Sequence, residues 1–94
     1  MLRAPEFFGD QQLTLIYVAK RLREARAVEE ALDGGPVDYV VLPEAYTGGL
    51  FFSSRRVGAF FYVSPQAEVQ ARALLFAQGF IPLAETQAEN ATDP

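Results

Sequence analysis

Residues 58–79, GAFFYVSPQAEVQARALLFAQG, hold a strand, a helix start and a helix stop within one short stretch, and their reading decides the fold. Phe60, Phe61, Tyr62 and Val63 are aromatic and β-branched, types that favour a pleated and at least half-buried surface. Ser64 can offer its side-chain oxygen to the free backbone donors of a helix, and Pro65 suits the first helical position because its missing N–H costs nothing there. Val69, Arg72, Ala73 and Phe76 recur at helical spacing with Leu75 beside them, and Gly79 is a left-handed stop. The period therefore changes from two to 3.6 at Ser64. A strand hands over to a helix, as in an α/β or α+β domain.

Working outward, the chain repeats this pattern. Leu13–Ala19, LTLIYVA, is a dense β-type run, apolar on both parities, and is expected to be a central strand covered on both faces. A helix is expected over Arg21–Leu32 with a buried stripe of Leu22, Ala25, Val28, Ala31 and Leu32, ended by Asp33, Gly34, Gly35 and Pro36. Val37–Leu42 reads as a second strand closed by Pro43. Residues 43–57, PEAYTGGLFFSSRRV, then form a connection far longer than an ordinary hairpin loop, unless the strands extend and Leu50–Phe52 pair back. Phe80–Leu83 reads as a short fourth strand, which Pro82 confines to an edge. The order strand, helix, strand, strand, helix, strand predicts an α+β domain of ferredoxin-like β-α-β-β-α-β topology. Its four-stranded antiparallel sheet has the order 4-1-3-2 and carries both helices on one face.

Ninety-four residues make one domain, close to the smallest that a single core holds together unaided. The expected organisation is a flexible N-terminal arm over 1–11, the folded domain over 12–83 and a disordered acidic tail over 84–94. Phe7 and Phe8 of the arm can tuck against the body. With neither cysteine nor histidine, disulfides, thiolate metal sites and imidazole acid–base chemistry are excluded. No metal site and no cofactor is expected. The net charge of −4 belongs to the two ends, because between Gln12 and Leu83 seven basic side chains balance seven acidic ones. No apolar run is long enough to span a bilayer and no signal peptide opens the chain, so the expected compartment is the cytoplasm.

The helix over Arg21–Leu32 begins against the local rule. Lys20, Arg21 and Arg23 crowd an end that favours negative charge, and no Ser, Thr, Asp or Asn caps it. Either these are solvated cations, with Arg21 and Arg26 paired to Glu24, Glu29 or Glu30, or an anion completes the end. In the expected topology the 43–57 loop lies at the same end, so Lys20, Arg21, Arg55 and Arg56 form a candidate anion or ligand site. Tyr46, Leu50, Phe51 and Phe52 form a candidate partner-binding segment of that loop. The sheet adds a third feature: Tyr17 or Val18, Val40 or Val41, and Phe60 or Phe61 must face away from the helices whichever parity is chosen. An apolar outer face predicts a dimer or trimer that buries it.

The pattern YVAKRLREARAVEEAL, the strand VDYVVL, a variable loop and FFYVSPQAEVQARALLFAQGF resemble the DUF2007 family of small prokaryotic signal-transducing proteins, within the superfamily of the nitrogen-regulatory PII proteins. Val63, Pro65, Glu68, Ala71, Arg72, Leu74 and Leu75 hold places similar to that family's second helix, and Glu24, Ala25 and Val28 to its first. The resemblance covers about residues 12–83 through packing positions. It implies a trimer-forming, signal-transducing fold in which residues 46–56 sit where PII proteins carry a partner-docking loop. The nucleotide site of PII proteins and the metal ligands of the related CutA proteins have no counterpart here.

The expected function is a non-enzymatic regulatory or protein-interaction module using the 43–57 loop and an oligomeric sheet. No catalytic residue is assigned, since Ser53, Ser54, Tyr46 and Glu44 lack a partner nucleophile or tuned base. A protein partner is expected, and DNA and membrane partners are not. The alternatives are a sensor for a small anionic metabolite or nucleotide and, less favoured, RNA binding by Tyr17, Phe60 or Phe61, and Tyr62.

Overall fold

Three β-rich runs and two amphipathic helices build the domain, which a computed structural model describes over residues 1–48 and 54–82. A single 3-10 turn at Pro5–Phe8 precedes β1 (Thr14–Ala19). There follow α1 (Leu22–Asp33), β2 (Tyr39–Gly48), β3 (Ser54–Val63), a 3-10 turn at Pro65–Ala67 and α2 (Glu68–Ala77). The sheet is antiparallel and three-stranded, in the order β1-β3-β2.

This corrects the four-stranded ferredoxin-like expectation. Among the described residues no fourth strand follows α2: Phe80, Ile81 and Pro82 pair with no strand, and Leu83 lies outside the described residues. The cause is local. The backbone N–H of Gly79 donates to the carbonyl of Phe76 at 3.0 Å and that of Phe80 to Leu75 at 2.9 Å, the paired bonds of a Schellman stop, with Gly79 at φ +88°. The turn sends the Phe80 ring against Tyr17 edge-on, with centroids 5.7 Å apart. Phe80 is thus used as a side-chain plug, and Pro82 has no N–H with which to continue a ladder. As a result β1, expected to be central, is an edge strand and β3 takes the centre. At the opposite edge Met1–Arg3 runs parallel to β2: the N–H of Arg3 donates to the carbonyl of Tyr39 at 2.8 Å, and Arg3 pairs with Asp38 at 2.9 Å.

The long connection also reads differently in three dimensions. Pro43–Gly48 and Ser54–Val57 are strand, paired from Pro43 with Ala59 to Gly48 with Ser54, so the 43–57 segment is mainly the outer half of a hairpin. Pro43 does not stop β2 because β2 is an edge strand, where a missing donor is tolerated. Leu50, Phe51 and Phe52 lie outside the described residues.

Register decides which side chains face the helices. Tyr17, Phe61 and Val41 share one row and Thr14, Val63 and Tyr39 another, and these rows meet Ala25, Val28, Ala31 and Leu32 of α1 and Ala71 and Leu75 of α2 in one core. A bulge between Leu15 and Tyr17 adds Ile16 to that core. Three expected core positions are outside it. Leu22 is 70% exposed, and α2 turns Ala71, Leu74 and Leu75 inward while leaving Val69 and Phe76 81% and 72% exposed. Because α2 is apolar over much of its circumference, its spacing alone admitted either face. The side chain of Ser64 makes no cap; its carbonyl accepts the N–H of Ala67 at 3.0 Å instead, closing the 3-10 turn that Pro65 opens.

Candidate functional site

β1 pairs only with Ala59–Val63, so the part of the hairpin from Glu44–Gly48 and Ser54–Gly58 runs past it as a two-stranded ribbon. An isolated ribbon of this kind gains little from its own pairing and depends on what packs at its base. At that base α1 begins, and there the candidate residues gather.

Glu24 ties the approach of the chain to α1. Its Oε1 accepts the backbone N–H of Lys20, one residue before the N-cap Arg21, at 2.9 Å, and its Oε2 accepts the hydroxyl of Tyr17 at 2.7 Å. Burial first, and Glu24 second, push the Tyr17 phenol up to about 12. With Glu24 so engaged, the expected pairing of Arg21 or Arg26 with Glu24, Glu29 or Glu30 does not form. Among the described residues the ion pairs are Met1 with Asp33, Arg3 with Asp38, and Arg72 with Glu68.

The Lys20 ammonium lies over the Tyr46 ring, 5.6 Å from its centroid, and Tyr46 is opposite Arg56 in the hairpin register. Gly58 makes this corner possible: a Cβ there would meet Tyr46 Cε1 at 3.1 Å and the Ala19 carbonyl oxygen at 3.2 Å. Arg55 is opposite Thr47. Arg21 lies on the helix side, on the rim of two concavities.

The first is an open concavity of about 300 Å3 between the opening turn of α1 and the inner side of the hairpin. Ala19, Ala25 and Ala59, with Val41 and Pro43, form its walls, and Lys20 and Arg21 its charged rim. Leu22 and Val57 stand on its two lips and are 70% and 68% exposed. The second is a groove of about 710 Å3 between α1 and Phe80, lined by Arg21, Arg23, Glu24, Ala27 and Phe80. The first cavity was not foreseen. Its signal in the sequence is three alanines at positions where larger residues would close the space, and these converge only through the register.

The outer sheet face is the other candidate surface. Leu15, Tyr62 and Val40 form one row and Val18, Phe60 and Leu42 the next, all opposite to the helix-covered parity. Tyr62 donates its hydroxyl to Glu44 on that face, and burial followed by Glu44 pushes its phenol up to about 12. Among the described residues no group of three or more acidic side chains is placed to hold a metal ion, and no helix is long and apolar enough to cross a membrane. Comparison with protein-family models, with curated proteins and with solved structures finds no match.

Proposed function

We propose that this chain is a non-enzymatic interaction module with a signalling role, working as a homo-oligomer that buries the outer face of its sheet and presents the β2–β3 ribbon to a protein partner. One observation carries the reading: the half-buried Leu15, Val18, Leu42, Phe60 and Tyr62 line the face turned away from both helices, beside Val40, which is already buried within the chain. A face left to solvent ordinarily alternates apolar with polar side chains. The ribbon supports a contact role, since it reaches past β1 and carries Tyr46 and Arg56, residue types enriched at binding hot spots. The resemblance to DUF2007 domains, and through them to PII proteins, belongs to the same reading. The test is solution mass by light scattering. The expected mass is that of a dimer or trimer at about tens of micromolar, a range in which an interface of ordinary size is populated. Phe60→Asp then gives a folded monomer. A monomeric wild-type chain refutes the oligomer.

A second reading, a sensor for a small anionic metabolite, is favoured by Arg21, which has no acidic partner among the described residues and stands over a cavity. RNA binding is not favoured, because Glu44 places a carboxylate beside Tyr62 on the face that would stack bases.

A further inference from the structure

We infer that the cavity between α1 and the hairpin binds a small amphiphilic acid, a compact aromatic or branched apolar body bearing one carboxylate, with the body against Ala25 and Ala59 and the carboxylate on Arg21. The inference rests on the sensor reading and narrows its ligand class. A site built for phosphate or a nucleotide surrounds the anion with polar donors. Here the walls are apolar and only the rim is charged, so an anion alone would leave the cavity unfilled. An apolar molecule alone would make no use of Arg21, an exposed guanidinium at the rim with no ion-pair partner among the described residues. The apolar walls set the body of the ligand and Arg21 its acid group.

The lips point the same way. Leu22 from α1 and Val57 from β3 both line the cavity and are among the exposed large apolar side chains of the domain, at 70% and 68%. A bound apolar body would remove both from water. The volume of about 300 Å3 is at the lower end of small-molecule sites, which sets the scale at a single ring or a short branched chain and excludes a nucleotide. The cavity opens on the helix side, away from the outer sheet face, so occupancy does not depend on the oligomer.

The test is a titration of the full chain followed by backbone and methyl NMR shifts, with four probes: phenylacetate, 2-phenylethanol, acetate and inorganic phosphate. Phenylacetate is expected to shift Ala19, Ala25, Val57 and Ala59 with Kd on the order of 1 mM, as befits about ten non-hydrogen atoms in an open site. Arg21→Gln should weaken phenylacetate roughly threefold to tenfold and leave 2-phenylethanol unchanged, the size of one solvent-exposed charge-assisted contact. Leu22→Gln, at an exposed position where folding is not at risk, should weaken phenylacetate and 2-phenylethanol together. If acetate and phosphate shift the Arg21 region as well as phenylacetate does, the anion sensor stands and the amphiphilic ligand is wrong. If no probe shifts these residues at concentrations about tenfold above that Kd, both readings fail. If the pocket signals instead move with protein concentration alone, a second copy occupies the cavity and the small-ligand inference is overturned.

Discussion

Replacing Glu24 by alanine tests whether one carboxylate joins the first strand to the first helix. The side chain accepts the Lys20 N–H at 2.9 Å and the Tyr17 hydroxyl at 2.7 Å, and so holds the turn between β1 and α1. Loss of the bond from the Lys20 N–H to this charged acceptor costs about 1 kcal/mol. Loss of a partly solvated hydrogen bond to a charged acceptor costs about another 1 kcal/mol. The two share one residue, so their sum of roughly 2 kcal/mol is a single expected loss rather than two independent ones. In a domain of this size it lowers the melting temperature by roughly 8–16 °C. Glu24→Gln keeps the shape but offers a single oxygen acceptor, so it cannot serve both donors and should lose about half as much. Glu30→Ala, exposed on the same helix, is the control and should stay within about 0.5 kcal/mol of the wild type.

The same variants move a second, independent readout. The Tyr17 phenol is raised from 10.0 to about 12 by burial first and by Glu24 second. Removing Glu24 should therefore bring it part of the way back and leave it above 10, as followed by tyrosinate absorbance. Urea unfolding supplies the stability. A Glu24→Ala chain within about 0.5 kcal/mol of the wild type, or one whose Tyr17 titration is unchanged, would refute the strand-to-helix tie.

Two further predictions concern the framework. Gly79→Ala forces a Cβ into φ +88° at the stop of α2 and should cost about 1 kcal/mol in urea unfolding, while Gln78→Ala, one residue earlier and exposed, should cost far less. Alkaline stability follows from the tyrosines: Tyr17 and Tyr62 are both pushed up to about 12, and Tyr39, buried and donating to Asp33 at 3.1 Å, is raised as well. A folded-state pKa above the unfolded value means that the neutral phenols stabilise the fold fully below pH 10 and lose that contribution as pH rises towards 12. Unfolding should accordingly set in above pH 10, and Tyr62→Phe should flatten the pH dependence there; an unchanged alkaline profile in that variant would count against the Tyr62–Glu44 bond.

Local chemistry was legible where a single segment decides the outcome. Of the stripe Leu22, Ala25, Val28, Ala31 and Leu32, all but Leu22 are buried together, and Gly79 reads as a stop and adopts the positive φ of one. The readings that failed are those that need a partner segment. Pro43 reads as the end of β2, which holds in a central strand and fails at an edge. Val69 and Phe76 fit a helical stripe as well as Ala71 and Leu75 do, and only the position of the core separates them. Of the candidate site, Lys20 and Arg21 were legible through their breach of the helix-start rule. The tie from Glu24 to Tyr17 was not, because it depends on how α1 folds back on β1.

By itself the sequence determined that strands hand over to helices after Ala19 and Val63, where each helix stops, and that the sheet must be apolar on both faces. These follow from backbone propensity and from periods of two and 3.6, which act over a few residues. Tertiary structure alone decided that β3 is central and β1 an edge, that Tyr17, Val41 and Phe61 face the helices while Val18, Val40 and Phe60 face away, and that the hairpin runs past its neighbours. It also brought Ala19, Ala25 and Ala59 together to leave a cavity beneath Arg21. The physical reason is register: a shift of one residue in strand pairing exchanges the two faces of a strand, and in β1 and β3 either face is apolar enough to be buried.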